Sequence, residues 1–204
     1  MDIYTETEDV DPDTLAHLGP LAALAGIWEG EGLDIHPVVG GTESEAYLER
    51  AELHPIDPQS NGPQLLYGLR YHLSIQKLGE IETFHDQIGY WLWEPATRSI
   101  TQTLAIPRAQ VAMAHGTAEP DARSWTVRAE LGSPTAGILS APFLDAHFKT
   151  LSYELTITVN PDGTIGYTQD TVLQIPGRDP FHHTDANRWR RVGAPLPNPL
   201  MRSR

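Results

Sequence analysis

The chain has no cysteine among its 204 residues. That excludes disulfides, thiolate metal sites and a catalytic thiol. Basic residues are scarce: 14 Lys and Arg stand against 27 Asp and Glu, for a formal charge of −13. A nucleic-acid binder would carry a basic stripe, and docking on an anionic membrane would need a basic patch; this composition argues against both. No uninterrupted apolar run approaches the ~20 residues that a membrane span needs. The start, Met1-Asp2-Ile3-Tyr4-Thr5-Glu6, lacks the basic residues and apolar core of a signal peptide, so a cytoplasmic location is expected. There is no nucleotide loop, no Gly-x-Ser-x-Gly elbow and no paired-carboxylate signature. Internal repeats and low-complexity blocks are missing too.

Turn formers are plentiful. The 17 glycines and 17 prolines suit many short strands joined by turns. The length suits one domain with a sizeable core. Residues 1–12 are polar and acidic and are expected to form a flexible arm. Residues 13–193 form the expected single domain, and 194–204, with Pro195, Pro197 and Pro199, a proline-rich tail. Asp13-Thr14 caps a short helix through Leu15, Leu18, Leu21 and Leu24, interrupted at Gly19-Pro20 and placed to plug one end of a β structure. Alternating segments follow at 26–36, 43–54, 64–78, 81–93, 99–106, 110–118, 124–131, 147–159, 164–175 and 181–192. The links are short enough for antiparallel neighbours. The expected fold is mostly β: an antiparallel up-and-down barrel of about ten strands, of the lipocalin or fatty-acid-binding-protein type, with a short N-terminal helix. A sandwich is the competing architecture. The stretch 132–144 is the least regular; a short helical turn there would cover an opening. A barrel this wide leaves a cavity, which makes small-molecule binding the first expectation.

The last strand organises the candidate chemistry. Alternation puts Phe181, His183, Asp185, Asn187 and Trp189 on one face and His182, Thr184, Ala186, Arg188 and Arg190 on the other. With the first face inward, His183 stands in an apolar interior and needs a partner. A lone imidazole there is a standard axial ligand for haem iron. The competing reading is a core histidine bonded across the barrel. Asp185 or Asn187, on the same face, is expected to accept its other ring N–H. His85 shares a face with Gln87, Gly89 and Trp91 and can donate to a ligand from the opposite wall; as a rim residue it would pair with Asp86. A non-haem metal site of His183, Asp185 and His85 has the two-histidine, one-carboxylate set that suits iron. Arg188, Arg190 and Arg191 either meet carboxylates of a ligand such as haem propionates at a barrel mouth or form a solvated face. Trp28, Trp91, Trp93 and Trp189 read as core packing more often than as stacking platforms.

Several of these stretches resemble the nitrobindin family of haem-binding β-barrels. The segment Leu21 to Gly32, with Gly26-Ile27-Trp28-Glu29-Gly30-Glu31-Gly32, is similar to the family's opening Gly-Thr-Trp-x-Gly-x-Gly. His85-Asp86-Gln87-Ile88-Gly89-Tyr90 is similar to its His-x-Glu-x-Gly-Tyr, Gly116-Thr117 to its later Gly-Thr, and His183-Thr184-Asp185-Ala186 to its His-Leu-x-Ala. The resemblance spans roughly residues 20 to 192. It implies a ten-stranded barrel with haem b near one mouth and His183 on the iron. It implies His85 on the distal wall as the catalytic residue, with Ile106 and Trp28 among the groups that contact the cofactor. Nitric oxide binding and isomerisation of peroxynitrite to nitrate are the implied activities. The expected partners are small molecules (haem, nitric oxide or peroxynitrite) and a second copy in a homodimer. Ile27 and Gln87 depart from the pattern, 132–146 resembles an insertion, and aligning the last strand from its C-terminal end moves the ligand position to Thr184 or His182. A metal-free carrier of a fatty acid or other apolar molecule, and a non-haem-metal or cofactor-free enzyme, are the alternatives.

Overall fold

The structure is a computed structural model that describes residues 2–203. The described residues form twelve strands: β1 (Gly26–Val38), β2 (Gly41–Pro55), β3 (Gln59–Asn61), β4 (Gln64–Lys77), β5 (Thr83–Glu94), β6 (Ser99–Ile106), β7 (Gln110–Thr117), β8 (Ser124–Leu131), β9 (Gly137–Ser140), β10 (Lys149–Val159), β11 (Ile165–Gln174) and β12 (Phe181–Gly193). Hydrogen bonds run in the order β2-β1-β12-β11-β10-β8-β9-β7-β6-β5-β4, and β4 pairs back on β2. The sheet therefore closes and has no free edge along its wall. Ten of its eleven strands are the ones the alternation marks, with ends that differ by a few residues.

The eleventh is a departure from the expected meander. β7 and β8 pair at His115 and Arg128 and then separate. β9 fills the gap, antiparallel to β7 and parallel to β8. Backbone N–H and C=O groups of a diverging pair need partners, and the irregular stretch supplies them. The expected loop at 56–63 also contains β3, which pairs only with the start of β4.

The N-terminal helix forms as two pieces. α1 (Thr14–His17) carries Asp13 at its N-cap, where the side chain accepts from the Ala16 N–H, and a 3-10 turn follows at Gly19–Leu24. Leu18, Leu21 and Leu24 are fully buried and plug one end of the barrel beside Trp28 and Trp93. Outside this plug, Asn198 donates to the Pro12 carbonyl (2.9 Å) and to Asp57 (2.8 Å). Among the described residues, no helix is long and apolar enough to cross a membrane.

The alternating glycines of β1 have a packing role. Gly30 and Gly32 face inward between Trp28 and Asp34. A Cβ on Gly32 would overlap the Tyr47 ring, and one on Gly30 would lie 2.6 Å from Asn187 Oδ1. The bare backbone lets these polar side chains lie across the strand. Gly32→Ala is expected to cost about 1–3 kcal/mol by overpacking. Gly41→Ala, where nothing lies within 4 Å, is expected to stay within about 0.5 kcal/mol of the parent. Denaturant midpoints of the two variants check this.

Candidate functional site

Inside the barrel is a cavity of about 850 Å³. It runs from Leu24 of the plug to a mouth framed by His36, Lys77 and Arg108. At that mouth lies α2 (Pro142–His147), in the stretch expected to hold a helical turn. Phe143, Leu144 and Phe148 from this segment line the opening. Most of the wall is aliphatic or aromatic. Polar groups gather in two places: where β1, β2, β11 and β12 meet, and on the other wall, where Gln87 donates to the Tyr71 hydroxyl (2.7 Å) and the Tyr153 hydroxyl to Gln102 (3.0 Å).

His183 lines the cavity, whereas His182 and Thr184 do not. Alternation along β12 decides this, and His182 instead bonds Asp170 (2.7 Å) outside. The expectation for the partner of His183 fails. Neither Asp185 nor Asn187 takes its ring N–H. Nε2 lies 2.6 Å from Oδ1 of Asp34, which is 149 positions away in the chain. No protein hydrogen bond reaches its Nδ1 among the described residues. The second oxygen of Asp34 bonds His36 Nδ1 at 2.7 Å. Burial opposes charge on His183, but the Asp34 hydrogen bond and the nearby Asp185 and Asp34 charges outweigh it, so its pKa lies above the usual imidazole value. Asp185 accepts from Gln169 Nε2 at 3.1 Å. Burial pushes its carboxyl up to about 7, against the pull of His183.

His85 and Ile106 both line the cavity. Burial holds the pKa of His85 below the usual value, and the Arg108 and His183 charges push the same way. His85 is thus neutral at pH 7 and stands within electrostatic reach of His183. Trp28 is a correction: it is fully buried, does not line the cavity, and donates from Nε1 to the Leu24 carbonyl (2.8 Å). The arginines of β12 take the second of their two expected places, on a solvated face. Arg188 pairs with Asp162, Arg190 with Glu29, and Arg191 bonds the carbonyls of Ala23 and Ala25 and covers Trp28. They belong to the plugged end, because β12 runs from the mouth at His183 towards the plug at Arg191. Among the described residues, the Lys and Arg side chains that line the cavity are Lys77 and Arg108. The donor set around His183 also changes, with Asp34 taking the place expected for His85 beside His183 and Asp185.

The sequence reading missed Glu49. This carboxyl is 3% exposed and lines the cavity. Its Oε2 accepts from Tyr167 Oη (2.9 Å), Asn187 Nδ2 (2.6 Å) and Trp189 Nε1 (2.7 Å), while Oε1 has no hydrogen-bond partner among the described residues. Burial pushes its pKa up to about 7, with the three donors acting against it. A signal was present: Glu49 is in phase with Tyr47, Ala51 and Leu53, all buried. In an acid-rich segment it read as one more solvated charge.

A closed barrel around a largely apolar cavity, with imidazoles on the wall and a carboxylate backing His183, defines a small-molecule-binding β-barrel. Residues 17–191 match the family described as THAP4-like, heme-binding beta-barrel domain, and the chain belongs to that family. Among solved structures it is similar to the crystal structure of Rv2717c from M. tuberculosis, at 19% identity and a TM-score of 0.62 over 90% of this chain and 99% of that one. That likeness is one of fold. No curated protein matches the sequence.

Proposed function

We propose that the barrel binds haem b through His183 and handles nitric oxide or peroxynitrite on the side facing His85. One observation carries this reading beyond the family: His183 is an imidazole on the wall of a largely apolar cavity, its ring held by Asp34 through one nitrogen. A histidine that ligates a metal through one nitrogen usually gives its other N–H to a carboxylate, which fixes the ring and makes it more basic. The size of the cavity and its apolar wall suit a flat macrocycle. Bound haem would supply an iron centre for taking up nitric oxide and rearranging peroxynitrite.

The remaining work falls to this chain's own groups. Asp34, itself held by His36, orients His183. His85, kept neutral by burial, offers a ring N–H to a small ligand on the opposite side. Phe143, Leu144 and Phe148 of the mouth segment keep water from one flank. Arg108 and Lys77 place positive charge where propionates would emerge, although Glu45 already holds Lys77 (2.9 Å).

The test is a visible spectrum of the purified chain before and after hemin. A Soret band that saturates at one equivalent supports the reading and justifies stopped-flow measurements with peroxynitrite, in which His85→Leu is expected to be slower. A flat titration, with a lipid found by mass spectrometry, replaces it with the carrier reading. Arg108→Ala is expected to weaken hemin binding about fivefold at low salt, as for an exposed charge pair worth about 1 kcal/mol. The loss shrinks as salt rises, and hemin titrations at two ionic strengths measure it.

A further inference from the structure

The cluster near the mouth offers more than one imidazole requires. In the β1–β12 register Asp34 sits directly across from Asp185. His183 lies two residues along β12 on the same inward face. One donor atom from each of these three residues falls within 4.8 Å of the others. Ionised carboxylates placed directly opposite across two strands repel one another, and without a metal this pair is eased by a hydrogen bond from the Asp185 carboxyl to Asp34. His183 brings at most one positive charge to the pair, and Lys77 is engaged with Glu45.

Both carboxylates are also held from behind. His36 Nδ1 bonds Oδ2 of Asp34 at 2.7 Å, and Gln169 Nε2 bonds Oδ2 of Asp185 at 3.1 Å. Neither His36 nor Gln169 belongs to the three-residue set. Ligating carboxylates of metal sites are typically oriented in this way by groups that do not touch the metal.

We propose that Asp34, His183 and Asp185 form a binding site for one divalent first-row transition-metal ion, without a macrocycle. The donor set is two oxygens and one nitrogen. It suits Fe2+, Mn2+, Co2+ or Zn2+ and lacks the thiolates that select softer ions. Bonds of about 2.1 Å place neighbouring donor atoms about 3 Å apart. The 2.6 Å contact between His183 and Asp34 therefore opens by a few tenths of an ångström, the proton it holds and any proton on Asp185 leave to solvent, and metal bonds replace the hydrogen bond. Three protein ligands leave positions free on the cavity side for water or a small chelating ligand, as in catalytic metal sites. This inference does not depend on the haem reading. The two share His183, so ion and macrocycle compete for it.

The experiment uses untagged chain, stripped of metal by a chelator and free of haem, titrated with Co2+. The expected result is visible d–d absorption that saturates at one equivalent. Asp185→Asn and Asp34→Asn abolish it, and His36→Ala weakens it about 10–100-fold. Far-UV circular dichroism confirms that each variant is folded. Absence of Co2+ binding by the parent chain, or Asp185→Asn binding as tightly as the parent, overturns the proposal. Hemin titration of the same samples keeps the two readings apart. Asp185→Asn retains His183 and is expected to take up hemin like the parent while losing Co2+. A parent chain that binds Co2+ but not hemin keeps this site and rejects the haem reading; one that binds hemin but not Co2+ does the reverse.

Discussion

His183→Ala is expected to abolish the Soret band of the hemin-loaded chain and leave its far-UV circular dichroism unchanged. The spectral loss follows from the shortage of substitutes. There is no cysteine, and Met113 sits on the outer face of β7, 39% exposed. His85 lines the cavity but stands beside Arg108. A residual Soret band that disappears in the His85→Ala double variant would move the ligand role to His85, and an unchanged spectrum in His183→Ala would sink the assignment. The fold survives for a separate reason. β12 is held through its backbone by β1 on one side and β11 on the other. Asp34 loses one partner and keeps His36. The cost of about 1–3 kcal/mol for a polar group that loses a bond is small against the ~5–15 kcal/mol of a typical domain.

The largest effect on stability is expected at Glu49. Glu49→Ala strands two buried donors at once, the Asn187 amide and the Trp189 indole, while the Tyr167 hydroxyl keeps Tyr47 at 2.7 Å. Unpaired buried donors cost about 1–3 kcal/mol each, and the shared hub brings the expected loss to on the order of 4 kcal/mol, or roughly 10 °C in midpoint for a domain of this size. Glu49→Gln keeps an acceptor oxygen and is expected to lose much less. The two also separate on pH. Burial raises the folded pKa of Glu49 from 4.5 to about 7. Between these values the native chain holds a proton that the unfolded chain has released. Stability from this group is therefore highest at acid pH and falls as pH rises through that window, by roughly 3 kcal/mol in all. Glutamine carries no such proton. Glu49→Gln is expected to gain on the parent between pH 5 and pH 8, as measured by denaturant unfolding at both. Asp185, also raised to about 7, is present in both chains, and only the small part of its shift that comes from the Glu49 charge differs between them. An equal gap at the two pH values would mean that Glu49 is already ionised at pH 5.

Repulsion between opposed acids also sets the character of the mouth. Asp34, Asp185 and Glu45 crowd one side of the cavity, where His183 and His36 bond Asp34 and Lys77 bonds Glu45. On the opposite side Arg108 faces His85. A ligand with anionic groups is thereby steered to the Arg108 side, and a cation to the Asp34 side.

Period-two alternation is a local property, and it made the wall of this barrel readable. Ten of the eleven wall strands, the inward face of β12, the capped helix at Asp13 and the choice of His183 over His182 depend on neighbours only a few residues apart. The same reasoning failed where it depended on which strands meet and at what register. Asp34 became the partner of His183 because β1 pairs with β12 at the point where the two aspartates lie opposite. Glu49 became a hub because Gly30 and Gly32 leave room across β1 for Tyr47 and Asn187. The β12 arginines, adjacent to the candidate ligand in sequence, lie at the plugged end because an extended strand advances about 3.3 Å per residue. The sequence by itself thus determined the strands, their faces and the candidate imidazole. Register and barrel closure, which join residues more than a hundred positions apart, decided what that imidazole touches.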